Sequence, residues 1–328
     1  MTSSVTSFNG PIAFEPIDPQ VLKNCLVQIN TMVADIGAAF ARLDYLPAVN
    51  DHARTLQKSI NEGEKWRADL ALLGQTIHQA NSRLEDSQSA LIASPEETDA
   101  LNEEIRTAIE QLITAAKSQH ELQKQRLRAI EQPLPEVQSA TDELTALASG
   151  VEAKRAEMAP KLSAAENDLK TVSDALQVIS EMKLTDIAEK SLKSVADTIA
   201  LKGLEDPAAI VAKAGDLLKR TLGTLDESLT YLSLVDNQTR FQKLLNALRA
   251  DDDRWALELV GMKARLDYLA TVGTLDKQRT AYAEHFSRLP SALGQFVDHL
   301  QQPDANLASR LARLRVVCAA FQVFIKPR

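Results

Sequence analysis

Apolar residues recur along this chain at intervals of three and four, and no segment reads as a strand. That period predicts amphipathic helices. The spacing places them over about 19–45, 48–92, 95–131, 136–201, 207–249 and 252–287, with shorter ones at 290–301 and 304–325. Asp18-Pro19, Ser94-Pro95 and Asp206-Pro207 each set a capping side chain before a proline at the first helical position. There the missing N–H costs nothing. Ser94 with Glu97 also matches a capping box. The two prolines of EQPLPEV, 131–137, interrupt a helix. Pro160 predicts a kink within the long one.

The break at LKGLEDPAAIVAKAG, 201–215, predicts a hairpin turn. Folding the chain there sets Ile199 against Ile210, Val195 against Ala214, and Leu192 against Leu217. Further along, Leu184 meets Leu225, Leu169 meets Phe241 and Leu162 meets Leu248. The outgoing seam is Leu162, Ala165, Leu169, Val172, Leu176 and Ile179; the return seam is Leu218, Leu222, Leu225, Leu229 and Leu232. Both have the alternating three-four spacing of a coiled coil. From Leu162 to Leu201 such an arm reaches roughly 60 Å at the rise of an α-helix.

Aromatic residues sharpen this division. Residues 67–230 contain none, whereas all fourteen lie nearer the two ends. Aromatic side chains anchor cores, so the ends are expected to pack together as a body and the middle to be paired helices. The predicted fold class is all-α, an elongated bundle of long antiparallel helices with a protruding coiled-coil hairpin. Its parts are residues 1–160 and 251–328 for the body and 161–250 for the arm, with the tip near 202–207. Residues 19–45 and 304–325 should share one bundle, since each carries an apolar stripe that needs cover. The first eighteen or so residues read as a polar, partly mobile arm.

Composition removes several functions. Net charge is −8, which argues against nucleic acid as a partner, since phosphate contacts need a basic surface. The start lacks the basic and apolar regions of a secretory signal. The longest apolar-rich runs, 25–34 and 316–325, fall short of the roughly 20 residues of a membrane span. Cys25 and Cys318 read as buried free thiols rather than a disulfide. Trp66 and Trp255 read as core anchors.

No catalytic pattern is present. His52, His78, His120, His285 and His299 form no ligand cluster, and no phosphate-binding loop or nucleophile elbow occurs. Neither a metal nor a cofactor is expected. The acidic run Asp251–Asp253 has two readings, a divalent-cation site or, favoured, a helix start at the positive end of the helix dipole.

Residues 183–220 differ from the rest. Seven basic and six acidic residues give this segment +1. Its apolar residues are Leu184, Ile187, Leu192, Val195, Ile199, Leu201, Leu204, Ile210, Val211, Leu217, Leu218 and Leu222. Such a hairpin can bury its seam internally, as the end of a coiled coil; on the residues alone this is the favoured reading. It can also turn the seam toward acyl chains while Lys190, Lys193, Lys202, Lys213, Lys219 and Arg220 stay near lipid headgroups.

In length, helix order, lack of a signal and the tip LTDIAEKSLKSVADTIALKGLEDPAAIVAKAGDLLKR, 184–220, most of the chain resembles the α-helical pore-forming toxins of the cytolysin A type. Within them it is most similar to the B component of the binary, xenorhabdolysin-like toxins. No short motif carries this likeness. The frankly hydrophobic tip of many such toxins is absent, which suits an amphipathic inserting partner. The resemblance implies a non-enzymatic, pore-forming cytolysin subunit, made soluble in the cytoplasm and then released. With an A-type helical component it would form a hetero-oligomeric ring on target-cell membrane lipid and insert its tip. The rival reading is a cytoplasmic coiled-coil scaffold or adaptor.

Overall fold

A computed structural model describes residues 12–93, 98–182, 190–223, 229–304 and 306–326. Among these the chain is all-α. In order the helices are α1 (Pro19–Leu43), α2 (Pro47–Gly63), α3 (Trp66–Ala93), α4 (Thr98–Ile130), α5 (Gln138–Glu181), α6 (Leu192–Ala200), α7 (Glu205–Leu222), α8 (Tyr231–Gln301) and α9 (Leu307–Ile325). The proposed capping box at Ser94 and Glu97 lies outside the described residues. The chain divides into two compact units, one of residues 1–138 with 267–328, the other of Ser139–Leu266.

In the first unit, Asp18 Oδ1 accepts from the N–H groups of Gln20 and Val21 at 2.9 and 3.2 Å. With Pro19 this caps the start of α1. The buried face of α1 is Leu22, Cys25, Ile29, Val33 and Ile36, spaced three and four apart. The helix stops where Asp44 and Leu46 take positive φ, 45° and 49°. The sequence pattern predicts one helix over 48–92, but the chain breaks at 64–65. A Cβ on Gly63 would stand 3.3 Å from Ile130 and 3.4 Å from the Tyr282 hydroxyl. The break brings Glu64 to accept from that hydroxyl at 2.7 Å.

The C-terminal helix is held from two directions. The rings of Phe296 and Phe321 stack at 4.1 Å, and Phe14 meets Phe321 edge-on at 5.1 Å. Residues 12–18, expected to be a polar arm, are thus pinned by Phe14; Arg288 adds a 3.2 Å bond to the Pro16 carbonyl. Asn306 caps α9 by accepting from Ser309 N–H at 2.8 Å. Arg313 pairs with Asp304 at 2.6 Å, with both side chains about nine-tenths buried. It also donates to the carbonyls of His299 and Gln302, satisfying groups that the end of α8 leaves unpaired. Asp304 therefore belongs to the turn, and the helix starts later than the pattern predicts.

In the second unit, α5 and the first half of α8 run antiparallel. Ser173 bonds Gln238 at 3.1 Å, Glu166 pairs with Arg249 at 2.6 Å, and Glu152 with Lys263 at 3.0 Å. Leu169 packs against the buried cluster that holds Phe241, as the hairpin pairing predicts. On the outgoing seam Ala165, Val172 and Ile179 are buried. On the return seam Leu218 and Leu229 are buried and Leu222 packs against them, as expected, and Leu225 lies outside the described residues; Leu232 faces solvent and Leu234 is buried instead. The cause is a break after Leu222, which resets the helical phase at Tyr231.

Neither reading of Asp251–Asp253 holds as written. The run lies inside α8 rather than at a start. Arg155 clamps Asp252 with two bonds, 2.8 and 3.1 Å, and Arg254 pairs with Asp251 at 3.2 Å. The Arg155 hydrogen bond holds the Asp252 carboxyl below its usual range. Its stabilising effect is thus present above the ordinary aspartate pKa and fades as pH falls through the lowered one. Pro290 is also internal to α8. Phe286, Leu289 and Leu293 around it are fully buried, and that packing outweighs one lost backbone bond.

Two outcomes test the first unit. Phe321→Ala removes the ring shared by the aromatic cluster, and the expected cost is about 3–5 kcal/mol in denaturant unfolding; an unchanged midpoint would show that the cluster is dispensable. Cys25 and Cys318 are buried free thiols. Burial raises the pKa of both, that of Cys318 to about 12. Iodoacetamide at pH 8 should therefore label neither in the folded chain and both once it unfolds, as read by mass spectrometry.

Candidate functional site

The candidate site is the hairpin tip, α6 with α7. Its sequence builds a small unit of its own. Ser191 Oγ accepts from Ser194 N–H at 3.3 Å and caps α6. The turn at 201–204 closes on Gly203, whose φ is +78° and whose N–H reaches the Ala200 carbonyl at 2.8 Å. Helix α7 begins at Glu205 after Leu204, so Asp206 is not its cap as the Asp-Pro pair predicts. Glu205 and Asp206 sit in the first turn and Lys219 and Arg220 in the last, each the favourable sign for the helix dipole. Gly223 ends α7 with φ +65° and an N–H bond to the Lys219 carbonyl at 2.9 Å.

Both legs of the hairpin are interrupted on the tip's inner side. The pattern predicts unbroken helices over 136–201 and 207–249. Instead α5 ends at Glu181 and α6 starts at Leu192, while α7 ends at Leu222 and α8 starts at Tyr231. The two interruptions meet in an antiparallel bridge, Ser191 with Thr230, and Leu192 N–H bonds the Leu229 carbonyl at 2.8 Å. Thr230 and Ser233 then cap α8 reciprocally at 3.2 and 3.4 Å. Hydroxyls at 191, 230 and 233 with a glycine at 223 were the available signals for these stops.

The tip's apolar residues separate into two sets. Leu192, Val195, Ile199, Val211, Leu217 and Leu218 are buried together, with Leu222 packed against them. Ala196, Ala208 and Ala214 join that core, a contribution that the list of large apolar residues misses. Small side chains let the helices close up: a Cβ on Gly215 would lie 3.8 Å from that of Leu192. Leu201, Leu204 and Ile210 instead face solvent, 89%, 37% and 37% exposed. Ile199 therefore does not pair with Ile210. Val211, one position on, is fully buried instead. Leu184 and Ile187 lie outside the described residues.

The basic residues Lys190, Lys193, Lys202, Lys213, Lys219 and Arg220 are all exposed. Among the described residues no group of three or more His, Cys, Asp or Glu lies close enough to hold a metal ion. No helix there is long and apolar enough to cross a membrane. What this arrangement offers is an amphipathic hairpin whose exposed charges are of both signs, with Leu201 and Leu204 exposed at its outer end.

The division is checkable by paired substitutions. Ile210→Glu should change stability by no more than about 0.5 kcal/mol, whereas Val211→Glu puts a charge in the seam and should cost about 3 kcal/mol or more. Equal effects in thermal unfolding would contradict the assigned face.

No family model matches this sequence, and no curated protein matches it by sequence. Solved structures do match. PaxB from Photorhabdus luminescens superposes with a TM-score of 0.81 at 16% identity, covering 96% of both chains. XaxB from Xenorhabdus nematophila gives 0.72 at 14%, covering 95% of this chain and 96% of that one. A chain of the XaxAB pore complex from the same organism gives 0.69 at 15%, covering 95% and 97%. Over almost its whole length, this chain has the fold of PaxB and XaxB.

Proposed function

We propose that this chain is the B-type subunit of a two-component pore-forming cytolysin. In this reading it meets an A-type helical partner on a target-cell membrane, and the two build a hetero-oligomeric ring. The tip, α6 with α7, is the element that enters the lipid. The observation that carries the reading is the tip itself. It is an amphipathic hairpin, separately capped, with Leu201, Leu204 and Ile210 already exposed at its end. Its fold-mates include a chain of a pore complex, which supports the same role here.

The physical task of the tip follows from its composition. Helix α7 has eighteen residues, about 27 Å at 1.5 Å per residue, close to the roughly 30 Å hydrocarbon thickness. It also carries Lys213, Asp216, Lys219 and Arg220, each costly to place in lipid. So the hairpin enters with one face toward acyl chains and the charged face toward water or the partner. The long side chains of the basic residues reach back to headgroups. The exposed leucines make first contact, and the buried seam then parts to supply the remaining apolar surface. None of these steps requires a catalytic residue.

Dye-filled vesicles decide the matter. The chain mixed with a similar-sized helical protein encoded beside it should release dye, and either protein alone much less. The triple variant Leu201→Glu, Leu204→Glu, Ile210→Glu alters only exposed positions, so it should keep its melting temperature and partner binding. Each charge costs about 2.5–3.5 kcal/mol at mid-bilayer, so leakage should be lost. A variant that leaks like the parent would exclude the tip as the inserting element. A parent that never leaks with such a partner would favour the scaffold reading.

A further inference from the structure

The first unit contains a cleft that the pore reading does not use. Its volume is about 900 Å³, and it lies among residues 12–19, α3 and the last turns of α9. That size is within the range of small-ligand sites. Phe14, Ile17, Leu70, Phe324 and Ile325 make its walls apolar. At Gly74 the helices come so close that a Cβ would stand 2.9 Å from Ile325 Cδ1, so α9 closes against α3 there.

The polar groups of the cleft are one-sided. Arg67, His78 and Lys326 line it and are exposed. No carboxylate lines it among the described residues, although the chain as a whole carries −8. Trp66, also in the wall, is buried, and its indole N–H has no hydrogen-bond partner. Arg67 lies over the Trp66 ring, 5.3 Å from its centre. An orphaned buried donor is unusual in a native fold. An apolar trough with cations, a spare donor and no acid among its described lining residues is complementary to an amphipathic anion.

We propose that this cleft binds one long-chain carboxylate. The acyl chain would cover the Phe14, Ile17 and Phe324 walls, and the carboxylate would meet Arg67 and Lys326. The binding needs neither a membrane nor a partner chain. Its test therefore uses the soluble chain alone, and its failure would leave the reading of residues 192–222 untouched.

Oleate, kept below its micelle concentration, is the probe. The chain has two tryptophans, so Trp255→Phe leaves Trp66 as the only reporter. Oleate should change its emission saturably at one equivalent per chain, with micromolar half-saturation. Calorimetry on the unsubstituted chain checks the same stoichiometry without that substitution. Ala71→Phe fills the cleft from an exposed position, and should weaken binding at least tenfold with an unchanged melting temperature. Arg67→Glu with Lys326→Glu should do likewise, and oleyl alcohol should bind at least tenfold more weakly than oleate. Absence of saturable binding, an unaffected Ala71→Phe variant, or alcohol binding equal to that of oleate would each overturn the proposal.

Discussion

Two short amphipathic helices can keep their apolar faces from water only against each other, and that constraint organises the second unit. Helix α6 has nine residues, too few to be stable alone. Its buried residues Leu192, Val195 and Ile199 find their cover in Val211, Ala214 and Leu218 of α7. The same cluster continues into Val172, Ala175 and Ile179 of α5 and Leu234 and Phe241 of α8. The tip and the paired legs are therefore joined by one continuous seam, even though the backbone of each leg is interrupted between them. A seam of this kind tolerates a broken backbone because burial is non-directional. Where the described residues resume, the Ser191 and Thr230 hydroxyls cap α6 and α8 and the 191–230 bridge ties the two legs together.

The first unit is bound by a different chemistry. Its C-terminal helix depends on large aromatic surfaces, Phe14, Phe296 and Phe321, and on one buried cation, Arg313. A buried ion pair is costly unless its remaining hydrogen-bonding capacity is filled. Arg313 fills it by donating to the carboxylate of Asp304 and to two carbonyls at the end of α8. Local sequence does not announce this arrangement. Asp304 three positions after the last residue of α8 resembles a helix start, and only the partner at 313 converts it into a turn staple.

How much the sequence discloses follows the range of the interaction that decides each feature. Heptad spacing is local, and the packing of Leu169 against the cluster that holds Phe241 was legible from it. The cap at Asp18 was legible for the same reason. Features set by distant partners were not. Asp251–Asp253 reads as a helix start until Arg155, nearly a hundred residues away, is seen to clamp Asp252. Gly63 reads as an ordinary helical position until Tyr282 and Ile130 press on it. The tip face was legible to within one residue. Val211 rather than Ile210 enters the seam, and one residue rotates a helix by about 100°. The apolar cleft gave no signal at all, since its walls come from three separated segments.

The polar contacts across α5 and α8 decide register more than stability. Glu166–Arg249 and Glu152–Lys263 are about half exposed on both sides. Exposed pairs contribute from almost nothing to about 1 kcal/mol. A buried leucine or isoleucine removed to alanine costs about 2–5 kcal/mol, so the apolar seam outweighs the ion pairs several-fold. The charges instead reject alternative alignments: sliding one leg by a residue would separate Arg155 from Asp252 and bring apolar positions out of the seam together. The strength of the hairpin and its specificity thus reside in different residues. At its outer end the apolar seam between α6 and α7 and the short turn at Gly203 align the two helices.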